Sequence, residues 1–110
     1  MTFDLTTRIG KLLYDEHALM RMEERNIFPS VIENALENGE NYRFPIRTFG
    51  ESKGATQLYL VRNSAYVKTR KEYHLFVLTD SKNVVRTTYV GDNRKLRKFK
   101  KKNKIKDLKV

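Results

Sequence analysis

The texture of this chain changes at Gly39, and the change limits the fold more than any other feature. Before it the sequence reads as helix. From Asp15 to Arg25 the run DEHALMRMEER is made of good helix formers, with no Gly, Pro or β-branched residue. Asp15 and Glu16 put negative charge where a first helical turn favours it, and Asn26 can adopt the left-handed conformation that ends a helix. A second helix is predicted from Pro29, a residue tolerated at the first helical position, to a stop at Gly39. Val31, Ile32, Ala35 and Leu36 form its apolar face. The stretch ahead of Asp15 reads both ways. Leu5, Ile9, Leu12 and Leu13 have helical spacing, whereas Thr6-Thr7 and Gly10 oppose a helix.

After Gly39 the period becomes two. Tyr42, Phe44, Ile46 and Thr48 alternate with polar residues or proline, and Pro45 confines that run to a sheet edge. GESKG, residues 50–54, reads as a turn or mobile loop. QLYLV (57–61), YHLFVL (73–78) and VVRTTYV (84–90) read as strands, with NSAYVKT (63–69) as a candidate short one. The short link Thr79–Asn83 predicts an antiparallel hairpin between the last two strands. The expected class is α+β: two N-terminal helices packed on one face of a roughly four-stranded antiparallel sheet. Residues 1–91 are expected to form a single domain.

Charge divides the chain differently. Its 110 residues carry a formal net charge of +10. Residues 1–50 hold a net −2, residues 51–90 a net +4, and residues 91–110 a net +8. Residues 92–110 therefore read as a basic C-terminal tail, helical or disordered, with Leu96, Phe99 and Ile105 isolated among lysines. Deleting 93–110 is expected to leave the fold intact. Such an asymmetry points to a polyanionic partner. Aromatic residues interleaved with basic ones, as in Tyr42-Arg43-Phe44 and around Phe99, favour RNA, bound by base stacking and phosphate contacts. The expected contacts are Arg62, Lys68 and Arg70 in the strand half, and Arg94, Lys95, Arg97, Lys98, Lys100, Lys101 and Lys102 in the tail.

Several classes drop out. With no cysteine there is no disulfide scaffold, thiolate zinc site or cysteine nucleophile. Two histidines 57 positions apart, without an acidic cluster, make no recognisable metal-ligand spacing. No metal and no cofactor are expected. No apolar run approaches the roughly 18 residues of a membrane span, and the N-terminus has no signal-peptide core. The expected location is cytoplasmic, with no membrane association.

His17, Arg21 and Arg25 follow at four-residue steps, which places them on one stripe within about 80° of helix arc. The stripe borders the apolar face of Ala18, Leu19 and Met22. A histidine there can serve as general acid or base, and guanidiniums bind phosphate bidentately. The alternative is structural: Arg21 paired with Glu24 or Asp15, and His17 bonded to a backbone carbonyl. His74, inside YHLFVL, is flanked by core residues and fits a structural role better than a catalytic one.

The run from His17 to Ile27, HALMRMEERNI, followed by VIENALENGE from Val31 to Glu40, resembles the DUF4258 domain, with its HA, RM and ER pattern, a turn ending in Ile, and a helix closing in NGE. The resemblance covers about residues 15–90; the strand half matches in texture, closing on VVRTTYV. Phe28-Pro29 departs from the usual Ser or Thr helix cap, and the basic tail lies outside the common domain. That family is placed among the RelE-like and barnase–EndoU–colicin–RelE (BECR) nuclease folds. The resemblance implies a small metal-independent ribonuclease, often a toxin held by an acidic antitoxin or immunity protein. It implies acid/base work by His17 and phosphate binding by Arg21 and Arg25. Alternate strand positions add Lys68 and Arg70, or Arg86 with Thr88, as weaker candidates; Arg86 and Thr88 would share a face with Val84 and Val90. A non-catalytic nucleic-acid-binding or partner-binding module on the same fold is the alternative.

Overall fold

Residues 6–15 form a β-hairpin. Gly10 supplies the turn at φ +62°, and the β-branched Thr6-Thr7 pair lies in its first strand. The computed structural model describes residues 6–48, 50–63 and 73–110. In chain order its elements are β1 (Thr6–Ile9), β2 (Leu12–Asp15), α1 (Glu16–Arg25), α2 (Pro29–Asn38), β3 (Glu40–Arg43), β4 (Gln57–Val61), β5 (His74–Thr79), β6 (Val85–Gly91) and α3 (Asn93–Asn103). The class is α+β, as expected, but the sheet is larger than the four antiparallel strands predicted. Among the described residues it has six strands, in the order β1-β2-β6-β5-β4-β3. It is mixed, because β2 runs parallel to β6 through the Tyr14–Val85 pair.

The helix ends follow the sequence signals. Asp15 is the N-cap of α1, its carboxylate accepting from the His17 N–H at 2.8 Å. Asn26 ends the helix at φ 56°. Pro29 opens α2 behind Phe28, which offers no side-chain cap. The candidate strand at 63–69 falls, apart from Asn63, outside the described residues.

Side chains alternate across the sheet into two separate cores. On one face Leu75 and Val77 of β5 and Val85 of β6 pack with Tyr14 and with Ala18, Met22, Ile32 and Ala35 of α1 and α2. On the other face Leu58, Leu60, Phe76 and Leu78 pack with Phe44, Ala55, Leu96, Phe99, Ile105 and Leu108. The two N-terminal helices share one face, as expected, and α3 adds a helix on the other. The basic tail is corrected: it is not an appendage. Leu96, Phe99 and Asn103 follow at i, i+3 and i+7 on one side of α3, and all three are buried. Two apolar residues on one helical face, with Ile105 and Leu108 after the helix, suffice when a sheet supplies the rest of the core.

One irregularity positions the functional region. The β5–β6 ladder runs Leu78–Thr87 and then Thr79–Val85, so Arg86 is the extra residue of a bulge. The bulge moves Val85 onto the α1 face and takes Arg86 out of the simple alternation that would set it beside Thr88.

Candidate functional site

The capping of α1 starts the site. One oxygen of Asp15 holds the His17 amide, and the other accepts from Arg86 Nη1 at 2.9 Å. Arg86 Nη2 donates to Asp80 at 3.0 Å. Asp80 is itself fixed by the amides of Lys82 and Val84, at 2.9 and 3.0 Å, in the turn before β6. Burial alone would lower the Arg86 pKa, but the two carboxylates outweigh it and raise it, so the guanidinium stays charged. Arg86 is thus a fixed cation braced from both sides.

The His17 stripe meets one acceptor. Arg21 donates to Glu24 at 2.8 Å and also to Glu51. His17 Nε2 lies 3.7 Å from Glu51 Oε1, and Arg25 Nη2 lies 4.0 Å from Glu51 Oε2. The hydrogen bonds that Arg21 donates to Glu24 and Glu51 raise its pKa. Three side chains spaced four apart on a helix therefore converge on a single carboxylate. It is delivered by the β3–β4 connection, whose tip turns at Gly50 and Gly54, both with φ near +90°. The connection is tied by Gly54 N to Arg47 O at 2.8 Å and by Arg47 N to Ala55 O at 3.0 Å.

Beside this cluster is a pocket of about 540 Å³, lined by Asp15, His17, Glu51, Lys53 and Arg86 with the two glycines. His17 Nε2, Arg21 Nε and Arg86 Nε are buried nitrogens without a hydrogen-bond partner. The 3.7 Å from His17 to Glu51 is close enough for charge attraction but too long for a hydrogen bond. Buried nitrogens without a partner in and beside a pocket lined by both signs of charge suit a ligand that can accept hydrogen bonds. Among the described residues no group of three His, Asp or Glu side chains is placed to hold a metal ion.

The other candidates lie elsewhere. Thr88 is buried, and its hydroxyl donates to the Phe76 carbonyl at 2.8 Å, so its side chain does not reach the pocket. Its own carbonyl accepts from Arg25 Nη1 at 2.6 Å, which anchors that guanidinium against β6. Arg62 is occupied by Glu40 and by the Lys109 carbonyl, each at 2.7 Å. His74 is buried and bonded through both nitrogens. Nδ1 accepts from Asn63 N at 3.0 Å, which leaves Nε2–H for Asn93 Oδ1 at 2.7 Å. It pairs with Gly91, at the far end of β5 from the bulge, about 17 Å along the strand. The two histidines do not form an acid/base pair. Lys68 and Arg70 lie outside the described residues. The α3 cations sit across the sheet from α1.

Glu51 is the residue that sequence reasoning missed. Its one signal was an acid between two glycines, in GESKG, opposite a helix with three cationic positions.

These features define a small α+β protein with a charged pocket at the start of its first helix. A family model described as a domain of unknown function, DUF4258, matches residues 14–90, and the chain belongs to that family. Searches of curated proteins and of solved structures each returned no match. The matched span holds the whole His17 stripe, Glu51, Asp80 and Arg86, and stops short of α3. No helix among the described residues is long and apolar enough to cross a membrane.

Proposed function

We propose that the protein is a metal-independent ribonuclease of the BECR type, cleaving RNA by attack of a ribose 2′-hydroxyl on the adjacent phosphate. The observation that carries this reading is the convergence of His17, Arg21 and Arg25 on Glu51 beside the pocket. The reaction needs a base for the 2′-hydroxyl, an acid for the 5′-oxygen that leaves, and cations for the phosphorane. Glu51 and His17 are the carboxylate and the imidazole of the cluster, the two side chains there that can exchange a proton with a substrate. Glu51 takes the proton and imidazolium His17 supplies one. Arg21 and Arg25 release the carboxylate to hold the phosphate, while Arg86, clamped by Asp15 and Asp80, keeps the helix start and its histidine in place.

The bound carboxylate also models how an acidic antitoxin or immunity protein would block the site: a second carboxylate in the place of Glu51. The experiment is incubation of the protein with RNA in EDTA, with product ends identified. Fragments bearing 2′,3′-cyclic phosphate, lost in His17→Gln, are expected. Intact RNA at every protein concentration overturns the enzyme and leaves nucleic-acid binding on the same fold as the alternative.

A further inference from the structure

The outer side of α3 is not needed for the core or for the pocket. Directly opposite Leu96, Phe99 and Asn103, at i, i+3, i+4 and i+7, stand Arg94, Arg97, Lys98 and Lys101, all exposed, within about 100° of helix arc. They span about 10 Å along the axis. α3 contains no acid, and among the described residues none of its cations forms an ion pair. By contrast, Arg21 is matched by Glu24 and Glu51, Arg62 by Glu40, and Arg86 by Asp15 and Asp80. A rigid row of uncompensated cations attracts a chain of regularly spaced negative charges.

The row also connects to the pocket. Lys95, on the flank of α3, sits 4.6 Å from the Tyr89 ring centroid on β6. Tyr89 feels the charges of both Arg47 and Arg25. Arg25 in turn reaches Glu51. Beyond the Tyr14–Val85 pair, no described strand covers the outer edge of β6. Positive charge therefore continues from α3 over that edge to the His17 stripe.

We propose that α3 is a phosphate-backbone platform, separate from the pocket, which grips a single-stranded RNA whose scissile segment reaches His17 around the edge of β6. The proposal rests on the ribonuclease reading for the word scissile only. The substrate class it names is RNA long enough to occupy both faces of the sheet, not a dinucleotide.

The test compares the full-length protein with the quadruple variant Arg94→Gln, Arg97→Gln, Lys98→Gln, Lys101→Gln. Binding of a single-stranded RNA of about 20 nucleotides, longer than the roughly 4–16 that one module usually covers, is followed against salt. Cleavage of that RNA and of a dinucleoside phosphate is followed in parallel. The expected result is a slope of log affinity on log salt smaller by up to about 3 in the variant, at about 0.7 per lost contact. Cleavage of the long RNA should fall and that of the dinucleoside phosphate should not. An unchanged slope in a variant with native circular dichroism overturns the platform. So does equal binding of polyglutamate, which would make the partner an acidic protein. If neither substrate is cut but the slope still falls, the platform stands and only the ribonuclease reading fails.

Discussion

At the scale of single residues, Glu51 has two effects that oppose each other in binding and in chemistry. It neutralises the cations that would hold a phosphate, and it is the carboxylate nearest His17. Glu51→Gln keeps the shape and removes the charge. On the proposed function, RNA affinity should rise about 1.4- to 5-fold, the range set by loss of an exposed ion pair. Cleavage should fall about 10²- to 10⁴-fold, as for loss of a general base. Titration binding and initial-rate measurements separate the two, and affinity and rate falling together would show that Glu51 only supports the fold. Arg21 and Arg25 were legible because helical periodicity converts sequence spacing into a shared stripe. Glu51 was not, because its partners are brought to it by a loop across the sheet, and no local pattern encodes that closure. Thr88 misled for a related reason. Its parity with Arg86 was read correctly from an unbroken strand, and the bulge at Arg86 breaks the strand.

At the scale of elements, α3 decides whether the second core closes. Leu96 is fully buried and Phe99 nearly so; Phe99 meets Phe44 edge-on at 5.5 Å and Phe76 at 5.9 Å between centroids. Phe99→Ala should cost about 3–5 kcal/mol and Leu96→Ala about 2–5 kcal/mol. Exposed Lys98→Gln should stay within about 0.5 kcal/mol. Urea unfolding monitored by circular dichroism checks the contrast, and a Phe99→Ala protein as stable as the parent would show that α3 is an ornament. Deletion of 93–110 is expected to unfold the chain, contrary to what composition implied. The tail misled because hydropathy averages over a helix that is apolar on one side only. The junction where helical texture gives way to strand is equally tight. A Cβ on Gly39 would lie 2.5 Å from the Ala35 carbonyl oxygen and 3.0 Å from that of Leu60, both backbone atoms. Gly39→Ala should therefore cost about 1–3 kcal/mol, read by the same unfolding assay, although its φ of −77° is ordinary.

At the scale of the whole molecule, stability should narrow from both ends of the pH range. The Tyr14 phenol, buried against α1 and α2 and near the Glu33 charge, is pushed up to about 12. The folded state holds that proton more tightly than the unfolded one, so its contribution is full below pH 10 and lost as pH rises from there toward 12. Glu40 is the acid-side counterpart. Burial alone would raise its pKa, but hydrogen bonds from Arg62 and Tyr42 outweigh that and lower it. Its contribution is present above the ordinary carboxylate range and lost as pH falls through the depressed value. Urea midpoints measured at pH 3, 7 and 11 should therefore peak in the middle, and a midpoint still rising at pH 11 would contradict the burial of Tyr14. Finally, the family match ends at Val90, yet four large apolar residues beyond it cover one whole side of the sheet. A fragment cut to the matched span would present that side as a sticky, aggregation-prone surface. Expression boundaries and C-terminal fusions have to respect Leu108 rather than Val90. Any graft in place of α3 would have to be an amphipathic segment able to seal that side of the sheet, and its outer face would be free to carry a different surface chemistry.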